Sequence, residues 1–209
     1  MNETERGIAT HIGAEVLAWL QKQRIGVAGA GGLGSNVAMH LVRSGFRRLI
    51  IADFDQVEFT NLNRQFYFAR QVGQPKVEAL AENLRAINPD LELELHQIRV
   101  EQTNASKLFQ ACDAVIEAFD DPKAKKILAE LILPTDTLLV SASGMGGCGL
   151  AEGIITRRLR PNFVLVGDMH TECGGETPPL SPMIGVAAAK QADVVLSYFL
   201  KRFKESRHA

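Results

Sequence analysis

Between Arg24 and Asp55 the chain reads RIGVAGAGGLGSNVAMHLVRSGFRRLIIADFD, and this stretch limits the possible folds more than any other. Ile25 to Ala28 is a short apolar run that enters Gly29-Ala30-Gly31-Gly32-Leu33-Gly34, a helical pattern follows, and Leu49 to Ala52 is a second apolar run closed by Asp53-Phe54-Asp55. Two buried strands separated by one helix must lie parallel, because the crossover carries the chain back to the same edge of the sheet. Gly29, Gly31, Gly32 and Gly34 let the backbone approach a phosphate and let the helix pack closely on the sheet. The helix start adds unpaired N–H groups and a partial positive charge. Asp53, at the end of the next strand, stands where an acid would take ribose hydroxyls. A nucleotide site is the expectation.

The remainder repeats the alternation. A short amphipathic helix is expected over Ile12 to Gln23, ahead of the first strand. Asp55 to Gln74 is a polar connection, long for its place and so a candidate functional loop. Pro75 opens a helix that runs to about Asn88, and Leu91 to Ile98 alternates as a half-buried strand does. Then come a helix (Ala105 to Cys112), a strand (Ala114 to Ala118), a helix from near Pro122 and a strand (Leu138 to Ala142). Beyond the glycine-rich loop Ser143 to Gly149, two strands are expected at Gly153 to Arg160 and Phe163 to Gly167, partly antiparallel. A loop from Asp168 to Pro182 precedes a final helix over Met183 to Phe203, apolar around most of its circumference and so buried in the core or against another subunit. The fold class is therefore α/β, a Rossmann-like doubly wound and mainly parallel sheet with an antiparallel extension near the C-terminus. We read residues 1–209 as one domain, with an N-terminal helix within 1–23, a nucleotide-binding core at 24–142 and an extension at 143–209.

Composition narrows the function classes. A net charge of −1 with 22% charged residues gives no field suited to nucleic acid or a membrane surface. No apolar run reaches the roughly 18–20 residues a membrane span needs, and the polar, charged start of the chain is unlike a signal peptide; a cytoplasmic setting is the expectation. Cys112, Cys148 and Cys173 are too few and too far apart for a four-thiolate zinc site, so no structural zinc is expected. His11, His40, His96, His170 and His208 show no metal-ligand spacing.

The motifs that follow the glycine turn sharpen this reading. Asn61-Leu62-Asn63-Arg64-Gln65, Gly73-Gln74-Pro75-Lys76, Ile87-Asn88-Pro89, Glu117-Ala118-Phe119-Asp120, Ser143-Gly144-Met145 and Gly167-Asp168 occur in order. In this combination the chain resembles the E1-like activating enzymes, and most of all a short form of the ThiF family, over Arg24 to about Phe199. The resemblance implies an adenylyltransferase that uses ATP and Mg²⁺ to activate the C-terminal glycine of a small ubiquitin-like sulfur carrier with a diglycine tail, in thiamine thiazole biosynthesis, as a homodimer. It assigns catalysis to Arg64, Lys76, Asp120 and Cys173. Nucleotide contacts fall to Gly29, Gly31, Gly32, Gly34, Asp53, Asp55, Asn61, Arg64, Gln65 and Lys76, and Mg²⁺ to Asp120. Cys173 matches the family position only loosely, offset by about one residue. The zinc-binding cysteine pairs of longer members are missing, and so is their N-terminal arginine segment, for which Arg6 is the substitute candidate.

Plainer readings stand beside these. The glycines could serve packing alone, Arg64 a surface ion pair, Lys76 a solvated first turn, and Cys173 no role beyond the loop. Asp120 and Asp121 precede Pro122 and either could cap a helix, Asp121 being the better cap. Cys112 reads as core and Cys148 stays undecided, while His170 could assist Cys173. Two other functions compete: a nicotinamide-dependent oxidoreductase, which leaves Arg64, Lys76 and Asp120 without a task, and a catalytically silent carrier-binding protein.

Overall fold

The computed structural model of the chain describes residues 1–207; His208 lies outside them. Its elements are α1 (Glu3–Ile12), α2 (Ala14–Lys22), β1 (Arg24–Ala28), α3 (Gly32–Arg43), β2 (Arg48–Ala52), α4 (Lys76–Ile87), β3 (Glu92–His96), α5 (Ala105–Phe109), β4 (Ala114–Glu117), α6 (Pro122–Ile132), β5 (Leu138–Ala142), β6 (Ile155–Arg160), β7 (Phe163–Gly167) and α7 (Ser181–Ser206). The strands form one sheet in the order β3-β2-β1-β4-β5-β7-β6. All neighbours are parallel except β6, which runs antiparallel to β7 at the edge. The expected fold class, including the antiparallel extension, is what the chain adopts.

Strand periodicity sorts the helices onto two faces. Ile25 and Val27 of β1 and Leu49 and Ile51 of β2 pack with α3, α4 and α7. Ile50 of β2, Val115 of β4 and Leu139 of β5 point the other way, against α5 and α6. Gly26 allows this second face to close, since a β-carbon there would come within 2.7 Å of the Phe109 ring.

Two expectations about helices need correction. The N-terminal helix is two helices, α1 and α2, broken at Gly13, whose φ is 87°. Apolar spacing from Ile12 onward revealed only the second. α1 is set instead by polar groups: Asn2 and Glu5 form a capping box, and buried Glu5 accepts from Gln21 Nε2 at 2.9 Å. Thr4 Oγ1 donates to the Ile87 carbonyl (2.7 Å), which fixes α1 beside the end of α4, at the amino edge of the sheet. Arg6, ion-paired with Glu3 on α1, therefore lies away from its own glycine turn. α7 is also longer than expected, and by length and composition it is apolar enough to cross a membrane. It packs along α3 with Met183, Ile184, Ala187, Ala188, Val195 and Phe199 buried, which makes it a core helix within the chain. Ile184, Val195 and Phe199 contribute roughly 1.5–3 kcal/mol each on burial.

Candidate nucleotide site

β1 is flanked by β2 and β4, the strands through which the chain leaves in opposite directions across the sheet. The crevice beyond the carboxyl ends of such strands is where open α/β sheets hold ligands. The glycine turn lies there. Gly29, at φ 98°, donates to the Ala52 carbonyl (2.9 Å), and a β-carbon on it would reach 2.8 Å from the Ala118 carbonyl oxygen. Gly34 is tighter still, because a β-carbon would fall 1.8 Å from the Gly29 carbonyl oxygen. Both glycines are thus required for α3 to begin so close to the sheet. Above them, Gly31 and Gly32 face the Arg64–Gln65 segment: their virtual β-carbons lie 3.9 Å from Gln65 Nε2 and 3.6 Å from Arg64 Cγ.

Asp53, almost fully buried, is tied to the turn. Its Oδ2 accepts from the Ala30 amide (2.6 Å) and its Oδ1 from the Asp55 amide (2.8 Å). Each carboxylate oxygen keeps a second lone pair for a donor such as a ribose hydroxyl. Asp55, expected to contact the nucleotide, has a partner within the chain. Its Oδ2 accepts from Lys76 Nζ (2.7 Å), and Lys76 is buried, not solvated at the first turn of α4. Lys76 and Asp55 therefore form a pair, not a lone cation beside a lone acid.

The Asn61–Gln65 motif docks on α3. Asn36 Nδ2 donates to the Arg64 carbonyl (2.8 Å), and Ser35 Oγ accepts from the Phe66 amide (3.0 Å). Asn61 is buried and organises the loop, its Oδ1 accepting from the Glu58 amide (3.1 Å). Gln65 is buried, and among the described residues its Oε1 has no partner. Leaving such an atom unpaired costs about 1–3 kcal/mol, and a flipped amide can offer a ligand either a donor or an acceptor. Arg64 Nη1 donates to the Thr60 carbonyl (3.1 Å) and to Asn63 Oδ1 (2.8 Å), so the guanidinium rests on its own loop, with no acid paired to it among the described residues. Asn63 Nδ2 in turn reaches the Pro179 carbonyl (3.2 Å), which places the 168–180 loop beside the motif.

Asp120 is exposed, just past β4, while Asp121 caps α6 through the Lys123 amide (3.0 Å), as expected of it. Among the described residues no three His, Cys, Asp or Glu side chains converge on a metal position. A Mg²⁺ at Asp120 would take its other ligands from phosphate oxygens and water, the usual arrangement for this ion. Cys173 is exposed, yet its thiol is raised above the ordinary range by packing around the sulfur; Arg64 opposes this shift and Asp168 adds to it. No hydrogen bond joins it to His170, whose amide donates to Asp168 Oδ1 (2.8 Å). Cys112 is core, with burial pushing its thiol up to about 12, and Cys148 is exposed.

Two side chains, Tyr67 and Glu117, carry roles that the sequence analysis did not assign. Tyr67 is buried behind the turn, with its hydroxyl 2.7 Å from the Ala30 carbonyl. Glu117, at the end of β4, is buried and accepts from Lys125 Nζ at 3.0 Å through both oxygens and from the Phe119 amide at 2.8 Å. Burial raises the Glu117 pKa, with the Lys125 charge opposing. A charged residue closing the apolar run Ala114-Val115-Ile116 was the available signal for Glu117. Nothing in the sequence marked Tyr67.

The model of the ThiF family matches residues 4–207. The chain belongs to the ThiF family. This ThiF-family chain is 33% identical over 139 residues to the adenylyltransferase and sulfurtransferase MOCS3 of Aedes aegypti, covering 66% of the chain and 32% of that protein. It is 37% identical over 135 residues to the tRNA threonylcarbamoyladenosine dehydratase of Bacillus subtilis (strain 168), covering 64% of the chain and 53% of that protein. The chain thus spans about a third of the length of the MOCS3 relative and about half that of the dehydratase. Among solved structures, the E. coli tRNA N6-threonylcarbamoyladenosine dehydratase TcdA in complex with ATP superposes with a TM-score of 0.84 at 24% identity, over 99% of this chain and 97% of that one. E. coli MccB with ATP gives 0.75 at 20% identity, over 96% and 64%. These superpositions support the fold.

Proposed function

We propose that the chain is an ATP-dependent adenylyltransferase that activates the C-terminal glycine carboxylate of a small ubiquitin-like sulfur carrier ending in diglycine. The observation that carries this reading is the glycine turn closed between Asp53 and the docked Arg64–Gln65 segment. A nicotinamide site would need the turn and Asp53 but gives no task to Arg64 or to an unpartnered Gln65 amide. In the proposed reaction a carboxylate oxygen attacks the α-phosphorus of ATP. The bond from that phosphorus to the bridging oxygen breaks, and pyrophosphate leaves with the electron pair. Negative charge grows on the phosphate oxygens, so cations held in advance lower the barrier. Arg64 supplies a guanidinium without an acidic partner among the described residues, and the Lys76–Asp55 pair a buried ammonium with two further N–H donors. Asp53 takes the ribose, Gln65 and the turn amides orient phosphates, Asn61 holds the loop, and Asp120 holds Mg²⁺, which screens the phosphate charge when bound. Cys173 acts after adenylation: its thiolate attacks the acyl carbon of the carrier adenylate, the bond from that carbon to the phosphate oxygen breaks, and AMP leaves with the electron pair as a thioester forms. Its raised pKa means that this thiol needs a further base or the approach of Arg64 to react quickly.

The thiamine pathway, a homodimer and a cytoplasmic setting belong to the same proposal and rest on the motif resemblance. Similarity to a tRNA-modifying dehydratase favours a second reading, activation of a carboxylate on a modified nucleoside by the same adenylation chemistry. Incubating the full chain with ATP and diglycine-tailed carriers, or with the modified nucleoside, separates the two. Intact mass should show a gain of AMP on a carrier, with ATP–pyrophosphate exchange dependent on it. Exchange with the nucleoside alone would favour the second reading, and absence of both would remove the adenylyltransferase assignment.

A further inference from the structure

We infer that Tyr67 is a positioning residue of the nucleotide site, its hydroxyl fastening the glycine turn in the one orientation that can receive phosphate. The inference rests on the nucleotide reading above and adds to it a residue outside every motif that led there.

The ring and the hydroxyl of Tyr67 have separable jobs. The ring packs in the core with Val27, Leu49, Ile51, Val77 and Leu80, as any large apolar side chain there would. The hydroxyl donates to the Ala30 carbonyl at 2.7 Å and stands 3.3 Å from the Lys76 carbonyl. With a single proton, it gives its main bond to Ala30 and only a weak second contact to Lys76. Among the described residues the Ala30 carbonyl accepts from Tyr67 alone. Ala30 lies between Gly29 and Gly31, and its own amide donates to Asp53. One residue of the turn is therefore held on both sides, by Asp53 through N–H and by Tyr67 through C=O. The neighbouring glycines have no side chains to resist rotation of their peptides, so these two bonds set which way the turn amides face. Because Lys76 begins α4, the same hydroxyl ties the turn to the start of the helix that carries the buried ammonium. Burial, and then the charges of Asp53 and Asp55, hold the phenol well above its ordinary range, so it remains a donor across the working pH.

Tyr67→Phe deletes one oxygen and keeps the ring. ATP binding to the full chain, measured by titration calorimetry with folding verified by circular dichroism, should weaken about three- to tenfold, as expected for one buried hydrogen bond. Hydrogen–deuterium exchange over residues 29–34 should accelerate, and the thermal midpoint should fall by about 2–10 °C because the Ala30 carbonyl loses its partner. Tyr198→Phe, which removes a hydroxyl that accepts from Arg202 on α7, should change neither ATP affinity nor exchange at the turn. Unchanged ATP affinity in folded Tyr67→Phe, or weaker binding without faster exchange at the turn, overturns the inference and leaves the functional reading standing. A parent chain that binds no ATP overturns both.

Discussion

Lys125→Met tests whether the loop carrying Asp120 rests on a buried charge pair. Glu117 is 1% exposed and Lys125 32%, so the lysine reaches from the surface inward to neutralise an acid inside the sheet. Its ammonium lies 3.0 Å from both Glu117 oxygens and 3.2 Å from the Ala142 carbonyl, joining the carboxyl ends of β4 and β5. Removing one member of a buried pair costs about 3–5 kcal/mol, because the other charge is left stranded. Water already screens part of Lys125, which lowers the expectation to roughly 2–3 kcal/mol. In a chain of this size that is a fall of about 5–10 °C in thermal midpoint. The pH dependence is more discriminating. Burial already raises the Glu117 pKa against the pull of Lys125, and losing Lys125 raises it further. An acid whose folded pKa exceeds its unfolded value destabilises the fold above the unfolded pKa, and this loss disappears as pH falls and the acid takes up its proton. The deficit of Lys125→Met should therefore shrink as melts move from about pH 8 to about pH 5. Adding Glu117→Gln should recover most of the loss at the higher pH, since no charge is then left unpaired. A deficit that ignores pH, or a double variant no better than the single one, would refute the argument.

Three further outcomes follow from the same geometry. Gly34→Ala places a methyl 1.8 Å from a backbone oxygen that cannot rotate away, so calorimetry should show lost ATP binding and melts a loss of about 1–3 kcal/mol, despite alanine's better helix propensity. In thiol titration of the native chain, Cys148 and Cys173 should label while Cys112 waits for unfolding, and early labelling of Cys112 would contradict its burial. Arg64→Ala should abolish ATP–pyrophosphate exchange with the melting curve preserved, whereas Cys173→Ala should spare exchange and impair only later sulfur transfer; the reverse pattern would exchange the proposed roles.

Periodicity and turn chemistry made most of the sheet legible in advance. Leu138–Ala142 and Phe163–Gly167 have the expected limits, because an apolar run between turn residues can be buried in few ways. The glycine turn and the capping role of Asp121 were also legible, since each follows from local backbone geometry. α1 was missed because it is held by a polar cap and a buried Glu5, which leave no apolar stripe to detect.

What the sequence alone determined was the alternation of strands and helices and the turn that only glycine can make, both of which depend on residues within one or two turns of each other. Tertiary structure decided the partners: Lys76 with Asp55, Tyr67 with Ala30, Glu117 with Lys125, and Arg64 within electrostatic reach of Cys173. Such pairings join side chains that chain order keeps apart and strand order brings together. Their energies depend on how much water the finished core excludes, a quantity that does not exist until the sheet has closed.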